Sequence, residues 1–317
     1  MFAKLFNNIS PRNMLNAILV LLVLEASFWI YPFNDWQWYP NEAWPFAKAG
    51  AILGFILISS LSILLPLAFA ESQNRRHAFR AQYLTLLLSG ILCWIWLYPL
   101  NGGSQIWSVL LFAPLIFTTL PLLKPQASGS ALVFISGFTI AIASFINAES
   151  TGLLLFVLII MSAVRRLSGR TFLALVLGYG GALYFAFSLD FFLDWSLMTT
   201  WRSELQSIDF IAFSPSYKRL AILIPIGIFL FFSGLISFSQ GSHYNNEQRK
   251  EINYWLFLAL IGLSGFLLFN NSNFWLGLCL WPTAILGSLA IQGIKNPWLK
   301  DGLLILPFSA YLLAFFV

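Results

Sequence analysis

The chain has 317 residues, of which 59% are hydrophobic and only 9% charged, and its 17 basic and 12 acidic residues give a formal net charge of +5. An ordinary soluble domain is about 25% charged. With a mean hydropathy of +0.81, this chain lacks the polar surface to cover its own core in water, and a soluble protein is excluded. Lipid is the solvent that remains. The expected fold is all-α: an integral membrane bundle in one polytopic domain over 1–317, with no separate soluble domain.

Lys4 and Arg12 precede an apolar stretch that starts at Met14, as in a secretory signal. Glu25 interrupts that stretch and no small-x-small cleavage site follows, so it reads as a retained first membrane helix. A span takes roughly 17–25 mostly apolar residues. That ruler gives about 11 segments: 14–31, 47–70, 82–99, 105–122, 130–146, 151–164, 171–189, 218–238, 252–269, 274–292 and 302–316. The segments 151–164 and 302–316 are short, and each either re-enters or lies against the bundle without a full crossing. Pro66, Pro114, Pro225, Pro282 and Pro307 fall inside spans, where neighbouring helices re-satisfy the carbonyls that proline frees.

Charge sets the orientation. With a cytoplasmic N-terminus and a periplasmic C-terminus, the loops 1–13, 71–81, 123–129, 165–170, 239–251 and 293–301 face inward. They then hold all of the 17 basic residues except Lys48, Arg202, Lys218 and Arg219. Basic residues are retained on the cytoplasmic side, which supports this arrangement in the inner membrane. Removing one span would place basic loops on both faces. The acids lean the other way, with Glu25, Asp35, Glu42, Glu149, Asp190, Asp194, Glu204 and Asp209 on or near the outer face. The pI of about 9.3 is therefore a topology signal and gives no reason to expect a nucleic-acid partner.

Chemistry-bearing residues are scarce. Cys93 and Cys279 lie in apolar runs and form neither a disulfide framework nor a zinc spacing. His77 and His243 lie in basic loops, unsuited to an internal iron site. No phosphate-binding G-x-x-x-x-G-K-[ST] run occurs. No cofactor and no metal site is expected. Outer loop 32–46 carries Trp36, Trp38, Tyr39 and Trp44 around Asp35 and Glu42. These aromatics suit the headgroup layer as an anchor, with a lipid-facing platform presenting Asp35 and Glu42 to a headgroup substrate as the sharper reading. Glu25 sits about 10 Å along its helix from Pro32 at 1.5 Å per residue. It is either an intramembrane acid with Lys48 as its nearest partner or a structural hydrogen-bonding group.

Outer segment 190–217 combines Asp190, Asp194, Trp195, Trp201, Arg202, Glu204 and Asp209 with the following Lys218 and Arg219. Asp190 and Asp194, four apart, share a face if the helix continues and could hold a cation. Arg202, Lys218 and Arg219 could hold a phosphate or headgroup. The plainer reading is an amphipathic interfacial helix. Gly178, Gly180, Gly181 and Ala182 cluster in mid-span as a packing notch. Arg165, Arg166 and Arg170 satisfy the orientation rule, with anionic lipid as a further partner.

Several features recur together: the pair of spans closing on Leu120-Pro121-Leu122-Leu123-Lys124, the hairpin from Ser136-Gly137-Phe138 to Ala143-Ser144-Phe145, then Arg165-Arg166, Arg170-Thr171-Phe172, Gly178 and Tyr179, and the opening Met1-Phe2-Ala3-Lys4-Leu5-Phe6. In these the chain resembles an uncharacterised family of polytopic inner-membrane proteins of Bacteroidota. The hairpin rhythm is also similar to the membrane half of GT-C-class glycosyltransferases that use polyprenyl-phosphate sugars. That likeness implies an acidic catalytic residue in the first outer loop, where Asp35 and Glu42 stand. Loop 32–46 is shorter than in that class, and there is no Asp-x-Asp pair.

Three functions are open. The leading one is a non-enzymatic subunit or scaffold of a cell-envelope assembly, with membrane lipids and other envelope membrane proteins as partners. The second is an outer-face glycosyl or headgroup transferase acting on a polyprenyl-phosphate-linked substrate. The third is a proton-coupled transporter or flippase using Glu25. Whether the chain is an enzyme stays open at this level. Single cysteines from Ser168→Cys and Gln206→Cys are expected to react with a membrane-impermeant maleimide from opposite faces, Ser168→Cys from the cytoplasmic one. Labelling of both from one face would reject the orientation.

Overall fold

A computed structural model describes residues 15, 16, 19, 20, 23, 82–97, 112–123, 129–193, 197–206, 217–240, 246–269 and 273–316. An apolar run in lipid has no water to serve its backbone N–H and C=O groups, so it closes them on itself as helix. Every regular element among the described residues is helical. In chain order these are α1 (Gln82–Leu97), α2 (Phe112–Thr119) running into a 3₁₀ turn (Leu120–Leu123), α3 (Gly129–Ile146), a second 3₁₀ turn (Ala148–Gly152) leading into α4 (Leu153–Ala163), α5 (Gly169–Leu193), α6 (Leu197–Gln206), α7 (Tyr217–Gln240), α8 (Asn246–Leu268), α9 (Asn273–Gly293) and α10 (Pro297–Phe316).

Four helical stretches among the described residues are long and apolar enough to cross a membrane: Gly169–Leu193, Leu220–Gln240, Gln248–Leu268 and Phe274–Gly293. The segment expected at 151–164 is a half-helix behind its 3₁₀ turn. Its 11 helical residues rise about 16 Å, against roughly 30 Å of hydrocarbon. The segment expected at 302–316 is longer than its apolar run. Pro297 occupies the first turn, where a missing N–H costs nothing, and Asn296 Oδ1 accepts from the Trp298 amide at 3.0 Å. The helix therefore reaches 20 residues.

The described helices form two groups. In the first, α3 and α5 cross so closely that side chains would not fit between them. A Cβ on Gly178 would run into the Phe134 carbonyl oxygen, and one on Gly137 into the Leu175 carbonyl oxygen and the Tyr179 amide. Small residues give this approach in lipid, where there is no hydrophobic drive between helices and contact must come from van der Waals packing. α5 accordingly buries Leu175, Gly178, Ala182 and Ala186 on one face. It exposes Leu173, Val176, Leu177, Gly180, Gly181, Tyr184 and Phe185 on the other. The expected glycine notch is thus split, with Gly178 and Ala182 packing inward and Gly180 and Gly181 pointing outward.

The second group is built on α9, whose apolar window is 94% buried, against 22% for α5. α9 is thus shielded from lipid by α1, α7, α8 and α10. Gly262 and Gly265 of α8 admit the Cys279 backbone and the Trp275 ring, and Gly287 of α9 receives the Phe229 ring of α7. Cys279 is a buried free thiol. The two groups meet where the Trp275 ring lies so close over Gly152 that a Cβ there would come within 2.9 Å of it, and where Phe156 of α4 approaches Tyr254 of α8, ring centroids 5.7 Å apart.

Buried hydroxyls tie helices in pairs. Thr85 Oγ1 donates to Ser288 Oγ at 2.7 Å, joining α1 to α9, and Ser288 Oγ passes its proton to the Ile285 carbonyl. Thr119 Oγ1 gives its proton to the Leu115 carbonyl at 2.7 Å, so the 2.7 Å contact between Thr119 and Tyr254 takes its proton from the tyrosine. Ser136 Oγ reaches Thr118 Oγ1 at 2.8 Å, joining α3 to α2. Such bonds contribute about 0.6 kcal/mol each in membranes.

The link from α4 to α5 is closed tightly. Arg165 has φ 57°, and the amides of Arg165 and Arg166 bond to Ser162 O at 2.9 Å and Met161 O at 2.8 Å, the paired bonds of a Schellman ending. Ser168 then caps α5. Its amide donates to Thr171 Oγ1 at 2.9 Å and its hydroxyl accepts from the Thr171 amide at 3.3 Å, a reciprocal box. Gly178→Leu should destabilise the chain by about 3 kcal/mol, the upper part of the range for overpacking, because the added atoms meet backbone. Gly180→Leu, with open space around it, should not lower the thermal midpoint in detergent and should raise it slightly, because leucine is the better helix former.

Candidate functional site

Of the residues singled out in the sequence, Glu25, Asp35, Glu42, Lys48 and Asp194 lie outside the described residues. Lys218 and Arg219 enter the first turn of α7, with their side chains outside the described set. Asp190 and Arg202 remain, and both lie at the corner where α5 leads into α6.

Asp190 stands in the last turn of α5, and its Oδ2 accepts from the Met198 amide at 3.2 Å. Met198 is the second residue of α6, so the carboxylate satisfies one of the orphan amides at that helix start and faces the positive end of its dipole. The bond ties the start of α6 to the end of α5. α6 then presents two sides, with Trp201 turned to Phe145 of α3 at a centroid distance of 6.2 Å and Arg202, Ser203 and Gln206 exposed. Among the described residues no group of three or more His, Cys, Asp or Glu side chains could hold a metal ion.

A second feature at this end was not singled out in the sequence: the turn between α3 and α4. Asn147 Oδ1 accepts from the Glu149 amide at 3.1 Å and Asn147 O accepts from the Ser150 amide at 3.0 Å, which winds residues 148–152 into a 3₁₀ turn. That turn sinks into the bundle. Thr151 Oγ1 meets the Tyr179 hydroxyl of α5 at 3.1 Å, α6 packs on its flank, and the Trp275 ring covers Gly152 while stacking on Phe269 at 5.4 Å. Four buried polar atoms here have no hydrogen-bond partner: Asn147 Nδ2, Ser150 Oγ, Trp201 Nε1 and Trp275 Nε1. The signal for it was present as the polar run Asn147-Ala148-Glu149-Ser150-Thr151-Gly152 between two apolar ones.

Asp190→Ala removes the acceptor at the start of α6 and should cost about 1 kcal/mol, the usual loss for a helix cap. Limited proteolysis should then cut first within 194–206, and the response of the thermal midpoint to millimolar calcium or magnesium should match that of the wild type.

A family model of unknown function, DUF6427, matches residues 43–317. No curated protein and no solved structure matches the chain. The matched stretch takes in every helix from α1 to α10, and the chain belongs to the DUF6427 family, whose function is unknown.

Proposed function

We propose that this protein is a non-enzymatic subunit of a cell-envelope assembly, embedded in the inner membrane and joined to other membrane proteins through α5. The observation that carries this reading is the outward position of Gly180 and Gly181. Both are exposed, and among the described residues neither has an atom near the place of its absent Cβ. They are flanked on the same face by Leu177 and Tyr184, 62% and 74% exposed.

A helix facing only lipid gains nothing from glycine, which costs roughly 1 kcal/mol per residue relative to alanine inside a helix. A helix that receives another helix gains close backbone approach at such positions. On the inner face of the same helix, Gly178 serves that purpose against α3. The membrane placement of the protein rests separately on its four long apolar helices and on the bias of basic residues.

A photo-crosslinking phenylalanine analogue at Tyr184 in cells should yield a discrete protein adduct. Gly181→Leu, introduced alongside it, should abolish that adduct without lowering the thermal midpoint or the expression of the chain, since leucine is the better helix former. Adducts to lipid alone, or a protein adduct indifferent to Gly181→Leu, would reject the assembly reading.

A further inference from the structure

Seven buried side-chain atoms among the described residues lack a hydrogen-bond partner, and they fall in two places. Ser233 Oγ, Gln240 Oε1 and Gln292 Nε2 belong to α7 and α9. They mix donors with acceptors and so point to no single class of ligand. The other four surround the turn at 147–152, and all four can donate. Tryptophan Nε1 is a donor only, and a hydroxyl can donate as readily as accept. The Asn147 amide is fixed in orientation because its oxygen already accepts from Glu149 N, which leaves Nδ2 as the free end.

Ser150 is fully buried and Trp275 is 2% exposed. Trp275 touches Gly152 from one side, and Trp201 belongs to the helix packed on the other flank of the turn. A buried donor without a partner forfeits its hydration for nothing in return, and four around one turn concentrate that cost at a single place. The charged groups at this end do not fill it. The Asp190 carboxylate accepts from the Met198 amide, Glu149 has its own partner, and Arg202 is exposed on the helix that carries Trp201.

We propose that the buried donors gathered around the Asn147–Gly152 turn, which Trp275 covers and the helix of Trp201 flanks, bind a phosphate-type oxyanion through these N–H and O–H groups. Unpartnered buried donors around one turn match an oxyanion, which accepts several hydrogen bonds and donates few or none. Arg202, exposed on the helix that carries Trp201, adds positive charge at this end. The occupant is the phosphate of a lipid headgroup or a free phosphate, which share this chemistry. The α5 contact plays no part in the proposal.

The test uses the full chain in detergent as wild type, Trp275→Phe and Ser150→Ala, with phosphatidylglycerol, diacylglycerol and inorganic phosphate as probes. In native mass spectrometry the wild type should retain phosphatidylglycerol and not diacylglycerol, and each variant should retain at least tenfold less. A wild-type thermal midpoint raised by inorganic phosphate over chloride at equal ionic strength, with no rise in the variants, would identify a free anion as the occupant. If neither probe separates the wild type from the variants, the proposal is overturned. It is equally overturned if Ser150→Ala raises the thermal midpoint with binding unchanged, the result for a dry pocket. Ser150→Ala removes one oxygen atom and keeps the test valid should Trp275→Phe not fold.

Discussion

Backbone meeting backbone at glycine is the contact on which the described bundle depends. Lipid offers no reason for one apolar helix to leave it for another, so association has to come from close surfaces and from polar groups that find each other. Gly137 and Gly178 bring α3 and α5 together so closely that the facing neighbours are carbonyl and amide atoms. Gly262, Gly265 and Gly287 do the same around α9, where bulky rings such as Trp275 and Phe229 lie over the bare backbone. Hydroxyl pairs, Thr85 with Ser288 and Thr119 with Tyr254, tie α1 to α9 and α2 to α8, pairs of helices that none of these glycine contacts joins.

Much of this was legible in the sequence, because in lipid an apolar run has one stable backbone form. The runs at 130–146, 218–238, 252–269 and 274–292 are α3, α7, α8 and α9. The shortness of 151–164 was equally plain and corresponds to a half-helix. Helix ends were harder, since they depend on caps. Pro297 and Asn296 lengthen α10 beyond its apolar run, and the Ser168–Thr171 box starts α5 at Gly169.

The candidate site was less legible, for reasons that can be named. The i, i+4 spacing of Asp190 and Asp194 pointed to one helix face, and Asp194 lies outside the described residues. Spacing alone could not show that Asp190 accepts from an amide of α6. The spans expected at 130–146 and 151–164 left only 147–150 between them, and composition could not show that residues 148–152 wind into a turn lying between Tyr179 and Trp275. Tryptophans in a membrane chain read first as interfacial anchors. That two of them turn their Nε1 atoms into the protein depends on which helices lie beside them.

The glycines of α5 define more than a packing notch. Gly178 and Gly180 are two residues apart, about 200° around the helix axis, so the bare strips they create lie back to back. A helix built this way is thin in one direction along its middle turns. With axis separations of about 8–10 Å at each contact, any helix seated on the outer strip would stand only some 16–20 Å from α3. α5 then acts as a spacer of fixed width, its angular setting locked at one end by the hydrogen-bonded reversal at Arg165–Ser168.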